Sequence, residues 1–242
     1  MLCAAWAGRA SPGQTVAMTS DAAAYRDLRT EVLGLARAHT EGLDEPVPAA
    51  PAWRARDVVA HLAGVSDDVV HDNLDGVATD DWTAVQVDKR RAWDIETLFA
   101  DWERHGDAVD ALIDAAPPGT FGQLLFDAWT HEQDLRGAFA VPGGRDSAAS
   151  TCAYEWATGM LDVRDRAENR DALELVCAGG SRVVGEPPAV TSVRVARFDL
   201  LRALTGRRSV AQIRGYDWTG APDPDRLVFA PIFQPRVDDL EE

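Results

Sequence analysis

The sequence predicts an α+β protein in which a bundle of four helices precedes a small C-terminal α+β unit. Three observations lead there. Four segments in the first part of the chain repeat apolar residues at three-and-four spacing, as helices with a buried face do. One long polar stretch separates the second segment from the third, as a crossover in a bundle would. After a fifth helical segment the apolar period falls to two, which is the period of strands.

Thr19-Ser20-Asp21 supplies N-cap candidates for a first helix reaching Thr40, with Tyr25, Leu28, Val32 and Leu35 on one side. Gly42 to Ala52, rich in proline, alanine and acid, reads as a loop. Pro51-Ala52-Trp53 leads into a second helix from Arg54 to Leu74, striped by Val58, Leu62, Val65 and Val69, with His61 at the edge of that stripe. Gly76 to Asp94, carrying Trp82 and Trp93, reads as an irregular crossover. A third helix from Ile95 to Ala115 turns Ile95, Leu98, Trp102, Val109 and Leu112 inward, and Pro117-Pro118-Gly119 stops it.

The fourth helix, Phe121 to Phe139, has one buried face made of Leu124, Ala128, Leu135 and Ala138, with His131 filling the gap. A fifth helix, Ser147 to Arg164, leads away from the bundle. Ala172 to Val184 alternates and turns at Gly179-Gly180, Val190 to Val195 is a further strand, Phe198 to Leu204 a short helix, and Arg207 to Arg214 opens the next element. The expected organisation is therefore a disordered extension or misplaced start over residues 1–18, a helical bundle over 19–166, an α+β unit over 167–235 and a frayed acidic tail over 236–242.

Composition removes several classes of function. With 24 basic against 40 acidic residues the formal charge is −16, which argues against nucleic acid or an anionic membrane as the main partner. No run approaches the ~18 apolar residues of a membrane span. Cys3, Cys152 and Cys177 are widely spaced and form no C-x-x-C pair, which suits a reducing compartment and predicts a cytoplasmic protein. A monomer or homodimer is expected. Neither a G-x-S-x-G element nor a phosphate- or dinucleotide-binding glycine pattern occurs, so a nucleophile would have to arrive with a cofactor.

Asp127 and His131 stand four residues apart, one turn of the same helix, so both reach one point in space. A carboxylate and an imidazole on an inward face need pairing or a metal. Each of His61 and His131, taken alone, fits a satisfied core histidine equally well. Together with Asp127 they make two imidazoles and one carboxylate, the donor set of a metal site with an open position. Asp134, three residues past His131, fits either the acceptor behind a ligating imidazole or a solvated carboxylate near Arg136. His39, His71 and His105 read as surface or core residues.

Trp53-Arg54-Ala55-Arg56-Asp57-Val58-Val59-Ala60-His61-Leu62-Ala63-Gly64 and Phe126-Asp127-Ala128-Trp129-Thr130-His131-Glu132-Gln133-Asp134-Leu135-Arg136 resemble the two histidine motifs of the mycothiol-dependent maleylpyruvate isomerase family. Phe198 to Ser209 resembles part of that family's small C-terminal domain. The resemblance implies a DinB-like metal-binding four-helix bundle with His61, Asp127 and His131 as ligands, Asp127 standing where the isomerase itself has the longer glutamate. It implies a divalent metal (zinc by default, nickel or iron as alternatives) and mycothiol, whose thiolate attacks a small electrophile in isomerisation or S-transfer. It also implies an arginine that holds an acidic substrate, with Arg207 the first candidate, Arg197 the second and Arg208 a solvated neighbour. The alternative is a non-catalytic metal- or ligand-binding protein of regulation or stress on the same fold.

Overall fold

The computed structural model describes residues 19–242, so the expectation for the first 18 residues lies outside the described part. Ser20 caps helix α1 (Asp21–Ala38) by accepting from the Ala23 amide. A short hairpin follows, β1 (Pro46–Val47) against β2 (Ala50–Arg54), where the sequence suggests only a loop. Helix α2 (Ala55–Val70) comes next, then α3 (Asp80–Arg90), α4 (Ile95–Ala115), α5 (Gly122–Ala138) and α6 (Ala148–Ala167). The expected irregular crossover thus contains a helix. Thr79 caps α3 through the Trp82 amide, and acid in its first turn with Lys89 and Arg90 in its last complement the helix dipole. What α3 lacks is an apolar stripe, since its buried residues are Gln86, Val87 and Arg90.

Helix α5 is the centre of the molecule. Helix α1 packs on one side of it and α6 on another, while α2 packs on α4 and also touches α5. The expectation of one buried face is therefore too narrow. Residues Leu124 to Leu135 of α5 are buried almost without a break, Asp127 excepted, and Thr130, Glu132, Gln133 and Asp134 are buried with the apolar set. Buried polar groups require partners; Asp134 finds Arg202 and Arg207 in the C-terminal part of the chain, while Thr130 and Glu132 bond within α5 to the Phe126 carbonyl and Arg136.

That part is a four-stranded sheet in the order β4-β3-β5-β6, with β3 (Asp171–Cys177), β4 (Gly180–Val184), β5 (Glu186–Arg194) and β6 (Asp217–Thr219). The β3–β4 and β5–β6 pairs are antiparallel, whereas β3–β5 is parallel. Helices α7 (Arg197–Leu204) and α8 (Val210–Arg214) lie between β5 and β6. One apolar cluster runs from α1 through the bundle into Leu173, Val193 and Leu201, across the boundary expected near residue 167. The tail is not frayed. Arg236 donates its amide to the Arg208 carbonyl, Gln212 bonds the Leu240 carbonyl, and the Glu242 carboxylate is gripped by Arg202 and Arg208. An acidic end finds a buried basic pair, which composition alone does not reveal.

Candidate metal centre

Helix α2 presents His61. Its first turn is held by Asp57, which accepts from the Arg54 amide at 3.0 Å and from the Arg54 guanidinium at 3.0 Å. One turn on, His61 is 3% exposed and faces α3. Its Nδ1 lies 2.7 Å from Gln86 Oε1, and the Gln86 amide nitrogen donates to Asp68 Oδ2 at 2.7 Å. These two contacts determine the tautomer. A carboxylate such as Asp68 only accepts, so the amide nitrogen must face it and Oε1 must face the ring; His61 Nδ1 therefore carries a proton. Gly64 makes the arrangement possible, because a Cβ there would lie 2.5 Å from Gln86 Cβ. The motif around His61 thus includes the glycine that lets α3 approach.

Helix α5 presents His131, 7% exposed. Its Nδ1 lies 3.0 Å from Asp134 Oδ2 in the next turn, so this ring too is protonated at Nδ1. Asp134 is fully buried and paired with two cations, Arg202 on Oδ1 at 2.8 Å and Arg207 on Oδ2 at 2.8 Å. Burial alone would push the Asp134 carboxyl up; Arg207, Arg202 and His131 overrule it and hold it well below the usual carboxylate range.

Both Nε2 atoms then converge on Asp127. The carboxylate lies 3.2 Å from His61 Nε2 through Oδ2 and 3.6 Å from His131 Nε2 through Oδ1. One donor atom from each of the three side chains falls within 4.8 Å of the other two. Burial again favours the protonated acid, but the neighbouring His61 and His131, with the hydrogen bond to His61 and the charge of Arg207, keep the Asp127 carboxyl below its ordinary value. With both Nδ1 atoms engaged by Gln86 and Asp134, the two Nε2 atoms share Asp127, and each meets the carboxylate through a proton or through a cation held in common. Trp53 of β2 closes one side, stacked on the His131 ring at 5.4 Å and edge-on to His61 at 5.2 Å. Asp127, with its side chain 35% exposed, marks the open side.

The structure brings together His61, Asp127, His131 and Asp134, as the sequence suggests, and sets Asp134 behind His131 rather than in solvent. Arg207 lies next to them, but its nitrogens are engaged by Asp134 and the Thr205 carbonyl, so its contacts are those of a residue that positions Asp134. Arg197 pairs with none of the three; it donates to Thr151 Oγ1 and lies over the Tyr154 ring on α6. Arg208 is buried between Asp199 and Glu242 rather than solvated. Arg136 pairs with Glu132. Gln86, Trp53, Gly64 and Arg202 are additions that spacing does not identify. Of the remaining histidines, His39 stacks on Phe139, while His71, at the surface, and His105, nearly buried, meet at Asp67.

This architecture has solved counterparts. The fold is similar to that of mycothiol-dependent maleylpyruvate isomerase. Two crystal structures, of that enzyme and of a variant with one histidine replaced by alanine, superpose with TM-scores of 0.55 and 0.54. Each covers 84% of this chain and 94% of its own, at 12% sequence identity, so the likeness is one of fold. No protein-family model and no curated protein sequence matches the chain. No helix among the described residues is long and apolar enough to cross a membrane.

Proposed function

We propose that the chain is a metal-dependent thiol enzyme in which His61, Asp127 and His131 hold a divalent cation and mycothiol supplies the nucleophile for a small electrophilic substrate. The observation that carries this reading is the convergence of both Nε2 atoms on Asp127 while both Nδ1 atoms are engaged elsewhere, which turns three metal-ligand atoms towards one place. Two imidazoles and one carboxylate are the donors of an open zinc site, and nickel or iron accept the same set. A bound divalent ion supplies the charge that keeps a neighbouring thiol deprotonated near neutral pH.

The chain's own residues prepare the site. Gln86 and Asp134 hold the two Nδ1 protons and so fix ring orientation, an arrangement that strengthens metal ligands generally. Arg202 and Arg207 keep Asp134 ionised, and Trp53 covers the rings against water. The protein's described cysteines are poor nucleophiles. Burial, with Asp21 beside it, pushes the Cys152 thiol up to about 12, and burial raises Cys177 as well. A thiol brought from outside fits this deficit. Its thiolate can add to an activated double bond, allow rotation and leave, or it can displace a leaving group for good.

Metal-loaded protein given mycothiol and a panel of electrophiles that includes maleylpyruvate separates these outcomes. Isomer formation without net loss of thiol identifies an isomerase, and stoichiometric loss of thiol identifies a transferase. The full engagement of Arg207 favours a second reading, a non-catalytic metal- or ligand-binding protein, because the guanidinium expected to hold an acidic substrate is already taken. No turnover across the panel by metal-loaded protein would support that second reading.

A further inference from the structure

Asp67, in the last turn of α2, stands at a second meeting of two histidines. His71 is the residue that closes α2, four positions on, and His105 comes from the middle of α4. Asp67 Oδ1 lies 3.0 Å from His71 Nδ1, whose proton also goes to the Asp67 carbonyl at 2.8 Å, and 3.7 Å from His105 Nε2; one donor atom from each residue lies within 4.8 Å of the others. Donors at tetrahedral zinc, each about 2.1 Å from the ion, stand about 3.4 Å apart, so an ion that displaces the His71 Nδ1 proton needs little further movement to hold all three.

A separate observation concerns His105. Its side chain is only 12% exposed, its Nδ1 is buried with no hydrogen-bond partner among the described residues, and its Nε2 stops short of hydrogen-bonding distance from Asp67. A buried imidazole satisfied at neither nitrogen calls for a ligand, and a cation at Nε2 supplies one contact. The Asp67 carboxylate is divided accordingly. Its Oδ2 takes Lys89 at 2.7 Å and Arg90 at 3.0 Å, leaving Oδ1 towards the two rings. The C-terminal end of α2 also adds the negative pole of its dipole, and His71, 63% exposed, leaves the position open to solvent.

We propose that Asp67, His71 and His105 form a second site for a divalent transition metal, independent of the one at His61, Asp127 and His131. Soft or borderline ions that favour imidazole (zinc, copper, nickel) are its ligand class, rather than calcium or magnesium, which favour oxygen. Lys89 and Arg90 beside Asp67 oppose a second cation, so this site fills after the first and binds more weakly.

The test is a Zn²⁺ titration of the full chain after chelator treatment, read by equilibrium dialysis. Two equivalents are expected, one tight and one weaker. His71→Ala, at an exposed position, and His105→Gln each remove the weaker equivalent and leave the tight one, while Lys89→Ala strengthens the weaker one several-fold. His61→Ala removes the tight equivalent and spares the weaker, so failure of either site is seen separately. A single equivalent in the unaltered chain, or a weaker equivalent that survives His71→Ala and ignores Lys89→Ala, would overturn the proposal.

Discussion

Gln86 Oε1 accepts a 2.7 Å hydrogen bond from His61 Nδ1 across the packed faces of α2 and α3. The partner of a ligating imidazole typically contributes 10–100-fold in metal affinity by holding tautomer and ring orientation. Gln86→Leu, which keeps bulk and removes the acceptor, is expected to weaken Zn²⁺ binding at His61 by about that factor. Competition against a chromophoric chelator measures it, and unaltered affinity would remove Gln86 from the site.

Gly64→Ala asks whether the close approach of α3 is required. Alanine in a helix interior is ordinarily better than glycine by about 1 kcal/mol. Here the new Cβ would lie 2.5 Å from Gln86 Cβ and 2.8 Å from its Cγ. A Cβ cannot withdraw without its backbone, so α3 must shift, at a cost of about 1–3 kcal/mol. A net fall in Tm accompanied by weaker metal binding is expected; a rise in Tm would show that α3 gives way freely.

How much of this was legible in the sequence follows from where each residue finds its partners. Helix α4 runs over Ile95–Ala115 as its apolar stripe and the following Pro117-Pro118-Gly119 indicate, although Leu112, expected inward, is 40% exposed. Asp127 and His131 share one helix, so their meeting is a matter of local geometry, and His61 sits at the edge of a stripe that points at the same core. Helix α3 was hidden because its inward side carries Gln86 and Arg90, which packing across the interface with α2 selects and periodicity does not show. Its capping residues Thr79, Asp80 and Asp81 were the available signal. In sequence Arg207 looks free to hold a substrate and Arg208 looks solvated, because their anions, Asp134 and Glu242, lie 73 and 34 positions away. The long-range pairs around α5 likewise turned an expected amphipathic helix into one buried nearly all round.

Asp134→Asn removes the shared anion of Arg202 and Arg207 while retaining the shape of the side chain. Breaking a buried ion pair from one side typically costs about 3–5 kcal/mol, because the remaining charge stays buried. Urea denaturation at neutral pH is expected to show a loss of that order. A loss under about 1 kcal/mol would mean that Asp134 contributes little to the junction of α5 with α7.

Asp57 links stability to pH at the start of α2. Burial opposes its ionisation, yet the side-chain and amide hydrogen bonds from Arg54 prevail and lower its carboxyl below the ordinary value of 3.8. A carboxyl depressed in the folded state contributes stability above its unfolded value and loses it as pH falls through the folded one. Asp57→Asn should therefore cost about 1 kcal/mol at pH 7, the usual worth of an N-terminal cap. That cost should shrink below about pH 4. Paired urea curves at pH 7 and pH 3 check the sign; a difference that grows on acidification would contradict it.

The most direct measurement is the tight metal equivalent of the purified chain, by elemental analysis and Zn²⁺ titration, beside His61→Ala, Asp127→Ala and His131→Ala. Each variant should keep its helical circular dichroism and lose that equivalent, with affinity falling by at least two orders of magnitude. Retention of full, tight metal binding by properly folded His61→Ala and His131→Ala would contradict the account at its centre.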